Sequence, residues 1–215
     1  MIGKDVGIPR VRLGQDQGEW AIANRLVSSE SIVYSVGIGE DISFDLELMQ
    51  RYGCQVYGWD PTPLAINFIA CSETPPGFTF LPYGLGTEDC VKEFGGKADG
   101  DRSFSSHSLN SEKISLEVRK LTSMMKLLNH DRIDILKMDI EGDEYDVIWQ
   151  IASDKIIIPQ LLVEFHHRWS SRSPLEKTKE AVCMLKRGGY LIFDVSASGG
   201  EFSFIHKTAL NRAAG

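Results

Sequence analysis

At 215 residues, with 30 Asp and Glu against 23 Lys and Arg and a formal net charge of −7, the chain fits one doubly wound domain better than two small ones. No stretch clusters Lys and Arg among aromatics as a phosphate-tracking surface requires, so nucleic acid is not expected as a partner. The longest apolar runs, Ile156 to Pro159 and Leu161 to Val163, fall far short of the roughly 20 residues needed to cross a bilayer, which excludes a spanning helix.

Met1 to Arg12 intersperses Lys4, Asp5, Arg10 and Arg12 among isolated apolar residues. It lacks the apolar centre of a secretory signal, and a cytoplasmic setting is expected. From Gln17 to Val27 the residues Trp20, Ala21, Ala23, Leu26 and Val27 recur near helical spacing, which predicts a short helix packed on the core. Residues 1–30 are accordingly read as an N-terminal extension and residues 31–215 as the main domain. Ser31 to Val36 is a β-branched and aromatic run that meets Gly37 and Gly39, a buried strand ending in a tight turn. Asp41 or Ser43 can cap the next helix, whose apolar residues are Phe44, Leu46, Leu48 and Met49 and whose stop is Gly53.

Cys54 to Trp59 reads as a second strand, Pro63 to Ala70 as a helix, and Phe78 to Leu81 as a third strand, with Gly84 and Gly86 marking a turn at its end. The polar, glycine-rich text between Glu88 and Leu109 suits an active-site loop. Ile114 to Val118 is an edge-strand candidate, and Thr122 is placed to cap a helix through Leu128. A fourth core strand over Ile133 to Met138, a helix over Asp143 to Ile151 and a fifth strand over Gln160 to Phe165 continue the alternation. Ser173 and Pro174 open a helix closed by Gly188 and Gly189. Tyr190 to Val195 and Glu201 to His206 end the pattern as a hairpin. The whole predicts an α/β fold: a doubly wound, mostly parallel seven-stranded sheet, helices on both faces, and an antiparallel C-terminal hairpin. The four cysteines, Cys54, Cys71, Cys90 and Cys183, form no C-x-x-C pair and are read as reduced, mostly buried apolar fillers.

In such a sheet, ligands bind beyond the carboxyl ends of the strands. The first strand offers Gly37, Gly39, Glu40 and Asp41 there, the second Asp60, the fourth Asp139 and Glu141, the fifth Glu164, His166 and His167. Two glycines let a ligand approach the backbone, and an acid ending the following strand, Asp60, can accept both hydroxyls of an adenosine ribose. NAD uses the same features, but Glu40 and Asp41 stand where a pyrophosphate needs neutral or positive surroundings, and a third glycine is missing. The sulfonium and ammonium of S-adenosylmethionine are favoured by those acids. In KMDIEGDE, Asp139 and Glu141 can remove a proton or hold a cation, whereas Asp143 and Glu144 are read as helix-start acids. His166 is the histidine favoured for a direct role, His107 is expected to be inert, Ser105 and Ser106 can donate to a ligand, and His130 is read as a structural helix-end residue.

The segments VYSVGIGEDISFDLEL, GWDP, IDILKMDIEGDEYDVI and LLVEFHHR resemble the FkbM-type family of class I S-adenosylmethionine-dependent methyltransferases, from about residue 10 to the end. The resemblance implies a Rossmann-like methyltransferase domain in which Gly37 and Gly39 border the methionine moiety, Asp60 holds the ribose and Leu85 flanks the adenine. It further implies that Asp139 and Glu141 face the methyl group and acceptor with His166 near them, and that oxygen of a small metabolite or sugar is methylated. With Glu40 added from its place after the glycines, the expected cofactor set is Gly37, Gly39, Glu40, Asp60, Leu85 and Asp139, and the expected catalytic set Glu141, His166 and Asp139. A divalent metal on Asp139, Glu141 and His166 would acidify a hydroxyl but is not favoured. The competing readings are an NAD-dependent oxidoreductase and a non-catalytic scaffold of the same fold. A homodimer would be ordinary.

Overall fold

Runs of β-branched residues that each stop at a glycine or an acid build the central sheet of the protein, a computed structural model that describes residues 3–15, 18–96, 104–106, 113–166 and 174–214. In chain order, β1 (Val11–Leu13) and β2 (Trp20–Ile22) form an antiparallel pair. They are followed by β3 (Ile32–Val36), α1 (Ser43–Tyr52), β4 (Gln55–Trp59), α2 (Pro63–Cys71) and β5 (Phe78–Leu81). Next come β6 (Gly84–Leu85), β7 (Cys90–Gly96), β8 (Phe104–Ser105), β9 (Lys113–Arg119), α3 (Leu121–Leu127) and β10 (Ile135–Met138). The chain ends with α4 (Glu144–Ser153), β11 (Gln160–Glu164), α5 (Pro174–Arg187), β12 (Tyr190–Val195), β13 (Glu201–His206) and α6 (Lys207–Ala214).

The main sheet has seven strands in the order β12-β13-β11-β10-β3-β4-β5. Its pairs from β11 to β5 are parallel, and β13 runs antiparallel to both neighbours. The expected architecture is thus present. Alternate residues of the strands face two cores. Tyr34, Val36, Leu136, Met138, Leu161 and Val163 pack against α3, α4 and α5. Val33, Ile135 and Leu162 face Phe44 and Leu48 of α1 and Leu13, Trp20 and Ile22 of the hairpin, while α6 covers Phe193 and Ile205 with Ala209 and Ala213. Strands buried on both faces require the continuous apolar runs seen in the sequence. At the helix ends, Gly53 closes α1 in the left-handed conformation (φ 68°) and Thr62 accepts from the Ala65 N–H at 3.2 Å to open α2.

Several local expectations are corrected. Gln17 to Val27 is no helix: its described part is β2 and a 3-10 turn over Asn24–Leu26. A three-residue strand buried on both sides gives the same unbroken apolar signal as a buried helix, and periodicity cannot separate them. Tertiary bonds decide, since Ser203 Oγ donates to the Ala21 carbonyl at 2.8 Å and the Ala23 N–H donates to Gln160 Oε1 at 2.7 Å. The stretch read as a loop after Glu88 contains β7 and β8, and Ile114 to Val118 is an interior strand of a second sheet ordered β6-β9-β7-β8. Gly84, read as a turn, pairs in parallel with Val118. Thr122 lies inside α3, which starts after Lys120 without a side-chain cap. Of the cysteines only Cys54 is buried; Cys71, Cys90 and Cys183 are exposed, because they fall at a helix end, at the start of β7 and on the solvent side of α5. Among the described residues, no helix is long and apolar enough to cross a membrane.

Candidate active site

Register sets the site. Val36 is paired with Trp59 and with Met138, and Met138 with Val163, so β3, β4 and β10 end level with one another and β11 runs on by the single residue Glu164. The next residues, Gly37, Asp60, Asp139 and Glu164, stand in a row along the carboxyl edge, and across β13 Glu164 is paired with Glu201. Above this row lies a cleft of about 630 Å³, within the size range of small-molecule sites. Gly37, Gly39, Glu40, Asp60, Leu85, Asp139, Glu141 and His166 all line it. His107 and His167 lie outside the described residues.

The turn after β3 passes very close to β10. Gly37 has φ 82°, and a Cβ on it would fall 1.8 Å from the Asp139 carbonyl oxygen, so only glycine fits. Asp60, 6% exposed, fixes the same turn. Its Oδ2 accepts from the N–H groups of Ile38 (3.0 Å) and Gly39 (2.9 Å), and its Oδ1 accepts from the Thr62 N–H (2.8 Å) and hydroxyl (2.6 Å). A carboxylate has about four acceptor positions, and these four donors occupy them. Asp60, expected to accept ribose hydroxyls, thus has the glycine turn and Thr62 as its partners here.

His166 is the centre of the acidic cluster. Its N–H donates to Glu144 Oε1 at 2.8 Å, and its Nδ1 lies 3.3 Å from the same oxygen. Its Nε2 lies 3.4 Å from Asp139 Oδ1, 3.5 Å from Glu141 Oε2 and 3.8 Å from Glu164 Oε1. Burial alone would push this imidazole down, but the hydrogen bond and charge of Glu144, with Asp139 and Glu141, outweigh it and raise its pKa to about 9. Burial, reinforced by the Asp139 charge, holds the Glu164 carboxyl well above its ordinary range. Asp139, Glu164 and His166 each offer a ligand atom within 4.8 Å of the others, a spacing that could also seat a divalent cation.

Glu144 was read only as a helix-start acid. It is fully buried, and its Oε2 also accepts from the Gly142 N–H at 2.8 Å, so one carboxylate joins the loops after β10 and β11. Asp143 is the N-cap residue of α4 as its place at the helix start suggested, but its side chain makes no cap hydrogen bond; Lys92 Nζ sits 2.9 Å from both of its oxygens and Ser106 donates to it at 2.8 Å. Ser105, expected to face a ligand, donates to the Glu141 carbonyl at 2.7 Å. The second sheet is thereby pinned to the loop that carries Glu141. That residue has φ 57°, a left-handed conformation uncommon outside glycine and costing about 1 kcal/mol or more. His130, read as a helix-end residue, follows the end of α3, and its Nδ1 lies 2.8 Å from the Tyr34 hydroxyl.

The cleft is also lined by two charged residues that escaped sequence reasoning, Lys137 of β10 and Asp45 of α1. Each is a charge at a position whose neighbours in the pattern are core residues, and that mismatch was the available signal.

The sequence profile of the methyltransferase FkbM domain matches residues 24–192. The probable methyltransferase-like protein 24 of Homo sapiens is 23% identical over 150 residues, 69% of this chain and 36% of that protein. Its Rattus norvegicus counterpart is 22% identical over 152 residues, 70% of this chain and 37% of that protein. The chain therefore spans little more than a third of the length of these curated relatives. Among solved structures, the fibrillarin pre-rRNA processing protein of Methanococcus jannaschii superposes with a TM-score of 0.50 at 10% identity, covering 93% of this chain and 83% of that one. A chain of a fibrillarin/Nop5p complex gives 0.50 at 10% identity, covering 84% and 74%. At this identity the likeness is one of fold.

Proposed function

The chain belongs to the methyltransferase FkbM family, and from that premise we propose that it transfers the methyl group of S-adenosylmethionine to an oxygen of a small, non-anionic acceptor such as a sugar-type metabolite. The observation that carries the reading is the level row Gly37, Asp60, Asp139 and Glu164 beneath a cleft of cofactor size. The residues present fit this cofactor: a Cβ at Gly39, which lines the cleft, would meet nothing within 4 Å, so the glycine turn is open to a ligand there, and the wall is rich in carboxylates that favour a cation. S-adenosylmethionine supplies an electrophilic methyl group on a sulfonium.

The protein's part is to align acceptor and cofactor and to take a proton where the acceptor must lose one. With its pKa raised to about 9, His166 holds a proton at neutral pH and acts as a charged donor that orients the acceptor. Glu141, partly exposed in the cleft and 3.5 Å from His166 Nε2, is the proton acceptor. Asp139 lies between them and the glycine turn. The imidazolium already offsets the neighbouring carboxylates, so the scheme needs no metal and turnover is expected to survive chelation.

The acidity of the cleft also supports a small acceptor. Glu40, Asp41, Asp139, Glu141, Glu164 and Glu201 line it, and a phosphate backbone entering there would meet like charge. The same repulsion disfavours the pyrophosphate of NAD and with it the oxidoreductase alternative. Calorimetric titration with S-adenosylmethionine, S-adenosylhomocysteine and NAD tests the reading. Binding of the first two and not the third is expected; binding of NAD alone overturns it.

A further inference from the structure

Among the described residues, five phenyl and indole rings line the cleft, and the apolar cores account for four of them. Trp20, Phe44, Trp59 and Phe165 are each at most 2% exposed and belong to the cores on either side of the sheet. Phe94 of β7 is only partly buried and, among the described residues, joins none of the cores. Alternation along β7 sets the side it faces: Val91 and Glu93 are exposed, so Lys92 and Phe94 share the inner face. Its neighbours in the strand fix its place in the cleft. Lys92 is bound to Asp143, and its Nζ lies 5.9 Å from the centre of the Phe94 ring. The next residue, Gly95, is paired with Ser105, whose hydroxyl donates to the Glu141 carbonyl.

Phe94 therefore stands beside the Glu141 loop and away from the wall expected to meet the adenine. Leu85 is paired with Arg119 and Phe94 with Ile114, on opposite sides of β9 and five residues apart along it, a separation of roughly 15–20 Å at the spacing of strands and residues in a sheet. A phenyl ring on a cleft wall offers a flat apolar surface and no conventional hydrogen bond. Glu141, Glu164, His166 and Glu201, which line the same cleft, offer hydrogen-bonding groups instead. A molecule that answers both has an apolar face and a rim of hydroxyls, which is the chemistry of a pyranose ring. A planar phenol would cover the phenyl ring but bring a single hydroxyl to these polar side chains. We propose that Phe94 is the acceptor platform, stacking on the C–H face of a sugar ring and presenting one of its hydroxyls to Glu141, an assignment that rests on the sugar-type acceptor reading above. The second sheet is then the acceptor-recognition element, tied to the loop after β10 by Lys92, Ser105 and Ser106.

The test is saturation-transfer NMR in the presence of S-adenosylhomocysteine, with the methyl pyranosides of glucose, galactose, mannose and rhamnose as probes and phenol and catechol for comparison. Wild-type protein should bind at least one pyranoside, with the C–H protons of one ring face saturated most strongly. Phe94→Ala should weaken that pyranoside about tenfold, Phe94→Tyr should hold it within about twofold, and Val91→Ala, on the exposed face of the same strand, should leave it unchanged. S-adenosylhomocysteine affinity, measured by calorimetry, should be unchanged in all of these variants. Where Phe94→Ala melts well below the wild type, Phe94→Leu, which keeps the apolar bulk and loses the flat ring, takes its place with the same expected loss. A variant without the ring that binds the pyranoside as the wild type does, or that loses S-adenosylhomocysteine in parallel, overturns the inference and leaves the cofactor reading standing. Binding of the phenols without any pyranoside, or of neither, overturns it together with the sugar-type acceptor. A wild type that binds no S-adenosylhomocysteine overturns the cofactor reading and the inference with it.

Discussion

Glu141 combines a strained backbone with the proposed proton acceptor, and three substitutions separate the two. Its φ of 57° costs a residue with a Cβ about 1–2 kcal/mol, and glycine escapes that cost but gives up about 0.5–1 kcal/mol of unfolded-chain entropy. Glu141→Gly should therefore be as stable as the wild type or up to about 1.5 kcal/mol more so, a rise of about 2–4 °C in Tm per kcal/mol for a domain of this size. Glu141→Ala keeps the strain and should melt below the glycine variant. Glu141→Gln keeps both strain and shape and removes only the charge. All three should lose about 10²–10⁴-fold in turnover, the range for a missing general base, with S-adenosylhomocysteine affinity nearly unchanged. The assays are thermal denaturation, calorimetric binding, and methyl transfer to an acceptor found by screening. An alanine variant as stable as the glycine variant would sink the strain argument; a glycine variant with full turnover would sink the role of the carboxylate.

Gly37→Ala should abolish cofactor binding and lower stability by several kcal/mol, because its Cβ would overlap the Asp139 carbonyl; near-native melting would show that the turn yields. Asp60→Ala should weaken S-adenosylmethionine at least tenfold, through loss of the turn that its carboxylate fixes, each charge-assisted bond being worth about 1.5–3 kcal/mol; unchanged affinity in calorimetry would contradict this. Burial raises Asp45 to about 6, with the Lys137 charge and a hydrogen bond from Ser35 pulling the other way and Asp41 adding to the rise. A carboxyl raised on folding destabilises the native state once ionised, a penalty absent below about pH 4 and complete above about pH 6. Asp45→Asn should therefore gain stability over the wild type between pH 4 and 7, by up to about 3 kcal/mol at 1.36 kcal/mol per pH unit; a denaturation difference that does not vary with pH would refute it.

How much was legible differs between fold and site. The continuous apolar strands, the glycine stops and the Pro63 and Pro174 helix starts are local signals, and they sufficed for a seven-stranded, mostly parallel sheet with its last hairpin. Where one signal serves two structures, local reading failed: Trp20 to Ile22 is apolar enough for a buried helix and is a strand, and the polar run after Glu88 conceals β7, whose outer face carries Val91 and Glu93 into solvent.

For the site, the sequence by itself determined which residues follow each strand, because chain order alone places Gly37, Asp60, Asp139 and Glu164 at strand ends. What those side chains touch was decided only in three dimensions. Interstrand register sets these four residues in one row. The glycine turn takes up the Asp60 carboxylate, a buried Glu144 reaches from the start of α4 to His166, and the Lys137 ammonium reaches the Gly37 carbonyl from a position 100 residues away in the chain. Propensity and periodicity act over a few residues, whereas hydrogen-bond saturation and charge compensation act between groups that only the folded chain brings together.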